Sequence, residues 1–155
     1  MTSLVYLVRH GEATSEAEDP RRPLTAEGRQ EVTRIAEHLG RLRLPVQRIV
    51  HSGKLRAQQT AEILARYLTP ASVEAAEGLA PLDDPSEAVR LIETATGPLM
   101  LVGHLPHLSR LASRLLGVDR EVVAPLPGGG VLCLTRGEAG WQIAWLLTPA
   151  VVGGT

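Results

Sequence analysis

A chain of 155 residues that is 44% hydrophobic and 21% charged carries enough apolar material for one compact core and too much for a disordered segment. Its 16 basic residues balance 17 acidic ones to a formal net charge of −1, which excludes an overall electrostatic pull towards nucleic acid or an anionic membrane. The single cysteine, Cys133, excludes an internal disulfide and a four-cysteine zinc site, and Arg, Glu, Gly or Pro interrupts every apolar run before it reaches membrane-spanning length. The expectation is one domain over residues 1–155 in a reducing, cytoplasmic compartment, with no nucleic-acid or membrane partner and no secretion signal.

Leu4 to Val8 form a short continuous apolar run, the pattern of a strand buried on both faces of a parallel sheet, and Arg9-His10-Gly11 follows at once. From Gly11 to Pro23 the chain is polar and aperiodic, which predicts a loop. Thr25 is an N-cap for a helix that carries Val32, Ile35, Ala36 and Leu39 on one face up to Gly40. The order then repeats. Arg48-Ile49-Val50 leads to His51-Ser52, and a helix from near Leu55 aligns Ala57, Ala61, Leu64 and Leu68 before Pro70 stops it. A short strand is expected around Val73, then a helix through Leu91 and Ile92 opened by Asp84 as N-cap, Pro85 and a capping-box Glu87. Leu99 to Val102 is the next buried strand and ends in Gly103-His104; the helix after it carries Leu108, Leu111, Ala112, Leu115 and Leu116 to a stop at Gly117. Val131 to Thr135 and Gln142 to Leu147 read as a hairpin around a loop from Arg136 to Gly140, with Trp141 and Trp145 on the same strand face. Alternating strands and helices predict a three-layer α/β/α fold, its central sheet mainly parallel with an antiparallel edge.

In open α/β sheets ligands bind beyond the carboxyl ends of the strands, and Arg9-His10, His51-Ser52 and Gly103-His104 all end strands. Arg56 opens the helix after the second strand, where free backbone N–H groups also point into the crevice. This is a phosphate-binding set. A phosphoryl group in transfer spreads its charge over three oxygens, and two planar guanidinium forks plus a histidine can stabilise it without metal or cofactor. His10 is left to attack phosphorus. Imidazole is nucleophilic only when neutral, so two adjacent cations should keep His10 unprotonated, with its other ring nitrogen donating to a backbone carbonyl to fix the tautomer. Among rival readings, His104 with His107 as a metal pair lacks a third ligand at suitable spacing, and Ser52 lacks a G-x-S-x-G elbow, reading instead as a helix cap or phosphate contact. Gly128-Gly129-Gly130, with no lysine and no helix after it, is a turn before a strand; Cys133 is inert core.

Arg9-His10-Gly11-Glu12, Ser52-x-x-x-Arg56-Ala57-x-x-Thr60 and Gly103-His104-x-Pro106 resemble, in order and spacing, the signature of the histidine phosphatase superfamily, with its phosphoglycerate-mutase-like fold. The short chain and the pieces Arg22-Pro23-Leu24-Thr25-x-x-Gly28, Leu55-Arg56-Ala57-x-Gln59-Thr60 and His104-Leu105-Pro106 are most similar to phosphohistidine phosphatases of the SixA type. The resemblance implies a phosphohistidine intermediate on His10, a phosphate clamp of Arg9, Gly11, Arg56, His104 and Leu105, and hydrolysis by water in a second step. The implied substrate is a protein phosphohistidine, with a small phosphate ester as runner-up; a catalytically weak phosphate-binding module is the non-enzymatic alternative. Members that cleave alkyl phosphates resemble one another in having a carboxylic acid between the second arginine and the second histidine. Glu77 is the best positional match, with Asp83 and Asp84 behind it. Leu105 stands where many members have asparagine, and Ala13 where many have serine or threonine; both suit the SixA type and count against mutase or sugar-phosphatase activity. The short interval from Arg56 to His104 leaves little material for a lid, and an open pocket would admit a protein surface.

Overall fold

The computed structural model describes residues 1–121 and 126–153. In chain order it contains β1 (Leu4–Arg9), α1 (Ala26–Arg41), β2 (Arg48–His51), α2 (Leu55–Leu68), β3 (Ser72–Ala75) and α3 (Ser86–Thr94). There follow β4 (Leu99–Gly103), α4 (His107–Leu116), β5 (Val131–Gly137), β6 (Gly140–Leu147) and α5 (Pro149–Val152). The six strands form one sheet in the order β3-β2-β4-β1-β5-β6. The first four in that order are parallel to one another, while β5 runs antiparallel to both β1 and β6, which is the expected mainly parallel sheet with an antiparallel edge.

Alternation along the central strands divides the core in two. Tyr6 and Val8 of β1, with Met100 and Val102 of β4, join α1 and α2 on one face; Val5 and Leu7, with Leu99 and Leu101, join α3 and α4 on the other. All eight are essentially inaccessible, and full burial of each Val, Leu or Met among them contributes about 1.5–3 kcal/mol. The continuous apolar runs read as doubly buried strands are therefore strands of that kind. Thr25 caps α1 as expected, its hydroxyl accepting from Gly28 N, and Gly117 ends α4 at a positive φ of 70°.

Three details differ from the sequence reading. The cap of α3 sits one residue later, at Pro85; Asp84 Oδ1 still accepts from Ser86 N at 2.9 Å, whereas Glu87 approaches Arg90 at 3.8 Å and closes no capping box. The hairpin strands run on to Gly137 and Gly140, leaving Glu138-Ala139 as a two-residue turn. Trp141 and Trp145 lie on opposite faces. A bulge sets Cys133 opposite Trp145 but Leu134 opposite Ile143, so Ala144 is an extra residue and the period of two breaks between the tryptophans. Trp145 packs beside Tyr6 on the α1 side and Trp141 on the α4 side.

Candidate active site

Because β4 is inserted between β1 and β2, the carboxyl ends of three parallel strands abut. Arg9 is in register with Gly103, and Val102 with His51, so the next residues, His10, His104 and Ser52, emerge together. His10 N donates to Gly103 O at 3.0 Å, and the His10 and His104 rings lie 4.9 Å apart, tilted by 56°. His104 Nε2 is 2.6 Å from Ser52 Oγ, so the serine that ends β2 bonds a site histidine. His51 is buried beside it and accepts from Gly53 N at 3.1 Å.

Helix α2 fastens the loops around His10. Thr60, fully buried, accepts from Gly11 N at 3.1 Å and donates to Arg56 O at 2.8 Å, while Gln59 Oε1 accepts from Leu24 N at 2.8 Å. The Arg56-to-Thr60 spacing thus has a structural meaning: one turn of helix carries a guanidinium into the site and ties down two site loops. Gly28 must be glycine, because a Cβ there would collide with the Glu12 carbonyl. On the other side the glycine turn docks, with Gly129 N donating to Arg9 O at 2.9 Å and Arg9 N to Gly130 O at 3.1 Å; Gly129 adopts a φ of 77°.

His10 Nδ1 lies 2.7 Å from Gly11 O. With the proton on Nδ1, that carbonyl accepts it and Nε2 keeps its lone pair. Burial pushes the His10 pKa down to about 4; the Gly11 carbonyl opposes the shift, and Arg56, Arg9 and Arg22 add to it. Arginine proximity is therefore the smaller cause of neutrality, and desolvation the larger. His104 is lowered to about 3, again chiefly by burial, then by His10, Arg56 and Lys54. Arg9 is anchored by a 3.0 Å bond from Nη1 to Leu126 O, and Arg56 Nε is buried without a protein partner among the described residues.

A cavity of about 740 Å³ opens at Arg9 and His10, lined also by Gly11, Leu105, Arg22 and Glu31 among others. Of the residues expected at the site, Arg9, His10, Gly11 and Leu105 line the cavity and Arg56 and His104 stand outside its lining; the Gly11 N–H is committed to Thr60. Glu77 does not join them. It is exposed after β3, in a separate acidic depression with Gly78, Asp83, Asp84, Ser86 and Glu87. Asp83 there accepts from Ala80 N, and Asp84 bonds Ser86 and Arg114. His107 is fully buried on α4, beside Leu79, Leu101 and Leu108.

Arg22 is the basic residue that sequence reasoning passed over. It has a left-handed φ of 49°, donates from Nε to Thr14 O at 3.1 Å, and its charge bears on both His10 and Arg56. Its signal was present in the Arg22-Pro23-Leu24-Thr25 piece, but a polar aperiodic loop gives no indication of where it folds back.

Residues 5–83 match the family model described as histidine phosphatase superfamily, branch 1. Over 151 residues the chain is 31% identical to the phosphohistidine phosphatase SixA of Escherichia coli (strain K12), covering 90% of this chain and 92% of that protein. An uncharacterized protein of Picosynechococcus sp. is 33% identical over 142 residues, covering 87% and 86% of the two chains. A solved structure of the protein histidine phosphatase SixA complexed with tungstate superposes with a TM-score of 0.84 at 26% identity, over 97% of this chain and 99% of that one.

Proposed function

Because the chain belongs to the histidine phosphatase superfamily and is a phosphatase, we propose that it removes phosphate from protein phosphohistidine through a covalent intermediate on His10. The observation that carries this reading is the state of His10, held at Nδ1 by the Gly11 carbonyl and kept neutral at physiological pH by burial. Nε2 is then the attacking atom.

In the first step the Nε2–P bond forms as the P–N bond of the substrate breaks, and the departing imidazole takes a proton from solvent. Arg9 and Arg56, with Arg22 beside them, offset the charge on the equatorial oxygens; the buried, unpartnered Nε of Arg56 is a donor suited to one of them. The Ser52 hydroxyl orients His104. In the second step a water oxygen bonds to phosphorus, the water proton leaves to solvent, and the Nε2–P bond breaks to release inorganic phosphate.

The substrate class follows from the leaving group. An alkoxide must be protonated as it departs, whereas imidazole leaves far more readily. Glu77, Asp83 and Asp84 lie in a different depression, and the Glu12 carboxylate accepts from the Thr25 hydroxyl at 2.9 Å. A substrate that needs no strong acid suits this cavity. The tungstate-bound SixA structure is consistent with a site for a tetrahedral oxyanion. No helix is long and apolar enough to cross a membrane among the described residues, and a cytoplasmic phosphoprotein fits as the partner.

The test is steady-state turnover of a phosphohistidine protein and of small phosphate esters in buffer containing EDTA, with His10→Ala alongside. Preference for phosphohistidine that disappears in the variant is expected. Faster turnover of one small ester would replace the substrate, and phosphate binding without His10-dependent turnover would leave a binding module.

A further inference from the structure

The cavity that holds His10 is also lined by Leu126, Pro127, Pro149 and Ala150 and by Glu31 of α1. Glu31 precedes Val32, whose Cγ2 stands so close to Gly11 that no Cβ would fit between them; this turn of α1 therefore abuts the residue after the nucleophile. The other cavity carboxylate, on Glu12, accepts from the Thr25 hydroxyl. Among the described residues the Glu31 carboxylate has neither a hydrogen bond nor an ion pair, and the nearby cation Arg22 spends its Nε on a backbone carbonyl. The cavity that holds Arg9 and His10 thus also holds a carboxylate without a protein partner among the described residues.

Such a charge repels an ordinary phosphate ester, and more so one with a second anionic group. It favours a substrate that places a cation beside Glu31 while its phosphoryl group meets Arg9 and Arg56. We propose that Glu31 is a specificity-determining residue that selects substrates bearing a positive charge on the group departing from phosphorus; in a phosphohistidine protein this is a lysine or arginine next to the modified histidine. The proposal rests on the phosphatase reading above but not on phosphohistidine being the substrate, since an ammonium-bearing phosphate ester presents the same chemistry.

The test uses matched pairs: two phosphohistidine peptides that differ only in lysine or glutamate beside the histidine, and two small esters, ethanolamine phosphate and glycerol phosphate. Each is assayed with the wild-type chain, Glu31→Gln and Glu31→Lys. The ratio within a pair is read, because general damage to the fold moves both members together. A preference for the cationic member of about threefold to fivefold, carried by KM, is expected in the wild type, the size of a partly exposed ion pair. It should shrink with added salt, vanish in Glu31→Gln and reverse in Glu31→Lys. If only the esters turn over, the phosphohistidine reading fails while the ester pair still decides the role of Glu31. If nothing turns over, calorimetric binding of the same pairs decides it. A ratio near one in the wild type, or a preference unchanged in both variants, overturns the proposal.

Discussion

Two depressions, one at His10 and one at Glu77, both gather charged side chains, and they are built differently. Around His10, the phosphate-binding groups are fixed by the backbone or by their place on an element: Arg9 on the Leu126 carbonyl, His10 on the Gly11 carbonyl, Arg56 on the first turn of α2. Around Glu77 the acids are exposed apart from a half-buried Asp83, and their bonds are mostly local turns, as in Asp83 to Ala80 N and Asp84 to Ser86 N, with an exposed ion pair from Asp84 to Arg114. Preorganisation separates a site from a surface here: groups that must stabilise transient charge are held before the substrate arrives, whereas solvated carboxylates reorganise with water. On the proposed function the difference also bears on substrate choice, since the fixed groups suit oxyanion binding and the acids of the other depression lie outside the cavity lining.

The comparison breaks most visibly at Arg56. Arg56→Ala is expected to lower kcat/KM on phosphohistidine by about 10²–10³, the cost of removing one preorganised donor from developing charge. Arg56→Lys should recover only part of this, because an ammonium cannot reproduce the planar fork whose Nε is buried and unpartnered. Full activity in either variant would show that the fixed cations are not the source of catalysis.

Acid tests the burial of the two histidines. A basic group whose folded pKa lies below its unfolded value binds more protons when unfolded, so stability rises with pH across that interval. For His10 the interval runs from about 4 to the ordinary histidine value, and for His104 it reaches down to about 3. Their contribution is intact above about pH 6.5 and is lost as the pH falls towards the folded values. Urea unfolding at pH 7 and pH 4.5 should show a loss on the order of 1–2 kcal/mol from His10, after discounting for its partial exposure. Replacing it in His10→Asn should flatten that part of the dependence, and an equally steep profile in the variant would mean that His10 titrates normally.

The histidines and arginines of this site were legible in the sequence because each sits at a strand end or helix start, and apolar runs locate those positions. What could not be read depends on how loops return. Arg22 belongs to an aperiodic stretch, and tertiary contacts such as the Gln59 bond to Leu24 N, the Thr25 N bond to Glu12 O and the close approach of Gly28 to Glu12 fold that stretch back beside His10. Thr60 was visible as a motif residue, but its bond to Gly11 N crosses between elements. The tryptophan faces were misread for a similar reason, because one extra residue in β6 changes the side on which its neighbours emerge. Helix α5, with Thr148 as cap and Pro149 at its first turn, carried helix-start residues but only four residues of helix, too few for a periodic pattern.

The smallest expected effect falls on the residue whose position the sequence matched best to a general acid. Glu77→Gln should change phosphohistidine turnover by less than about twofold, since a substitution at an exposed residue away from the reacting atoms has little to disturb. The same variant on an alkyl phosphate sharpens the reading, because an alkoxide needs the proton that imidazole does not. A loss confined to the alkyl ester would mean that Glu77 reaches that leaving group when the substrate is bound, and would leave the phosphohistidine preference intact. Tenfold or greater losses on both substrates would place an acid in the cavity, remove the leaving-group argument, and make the two depressions one functional site.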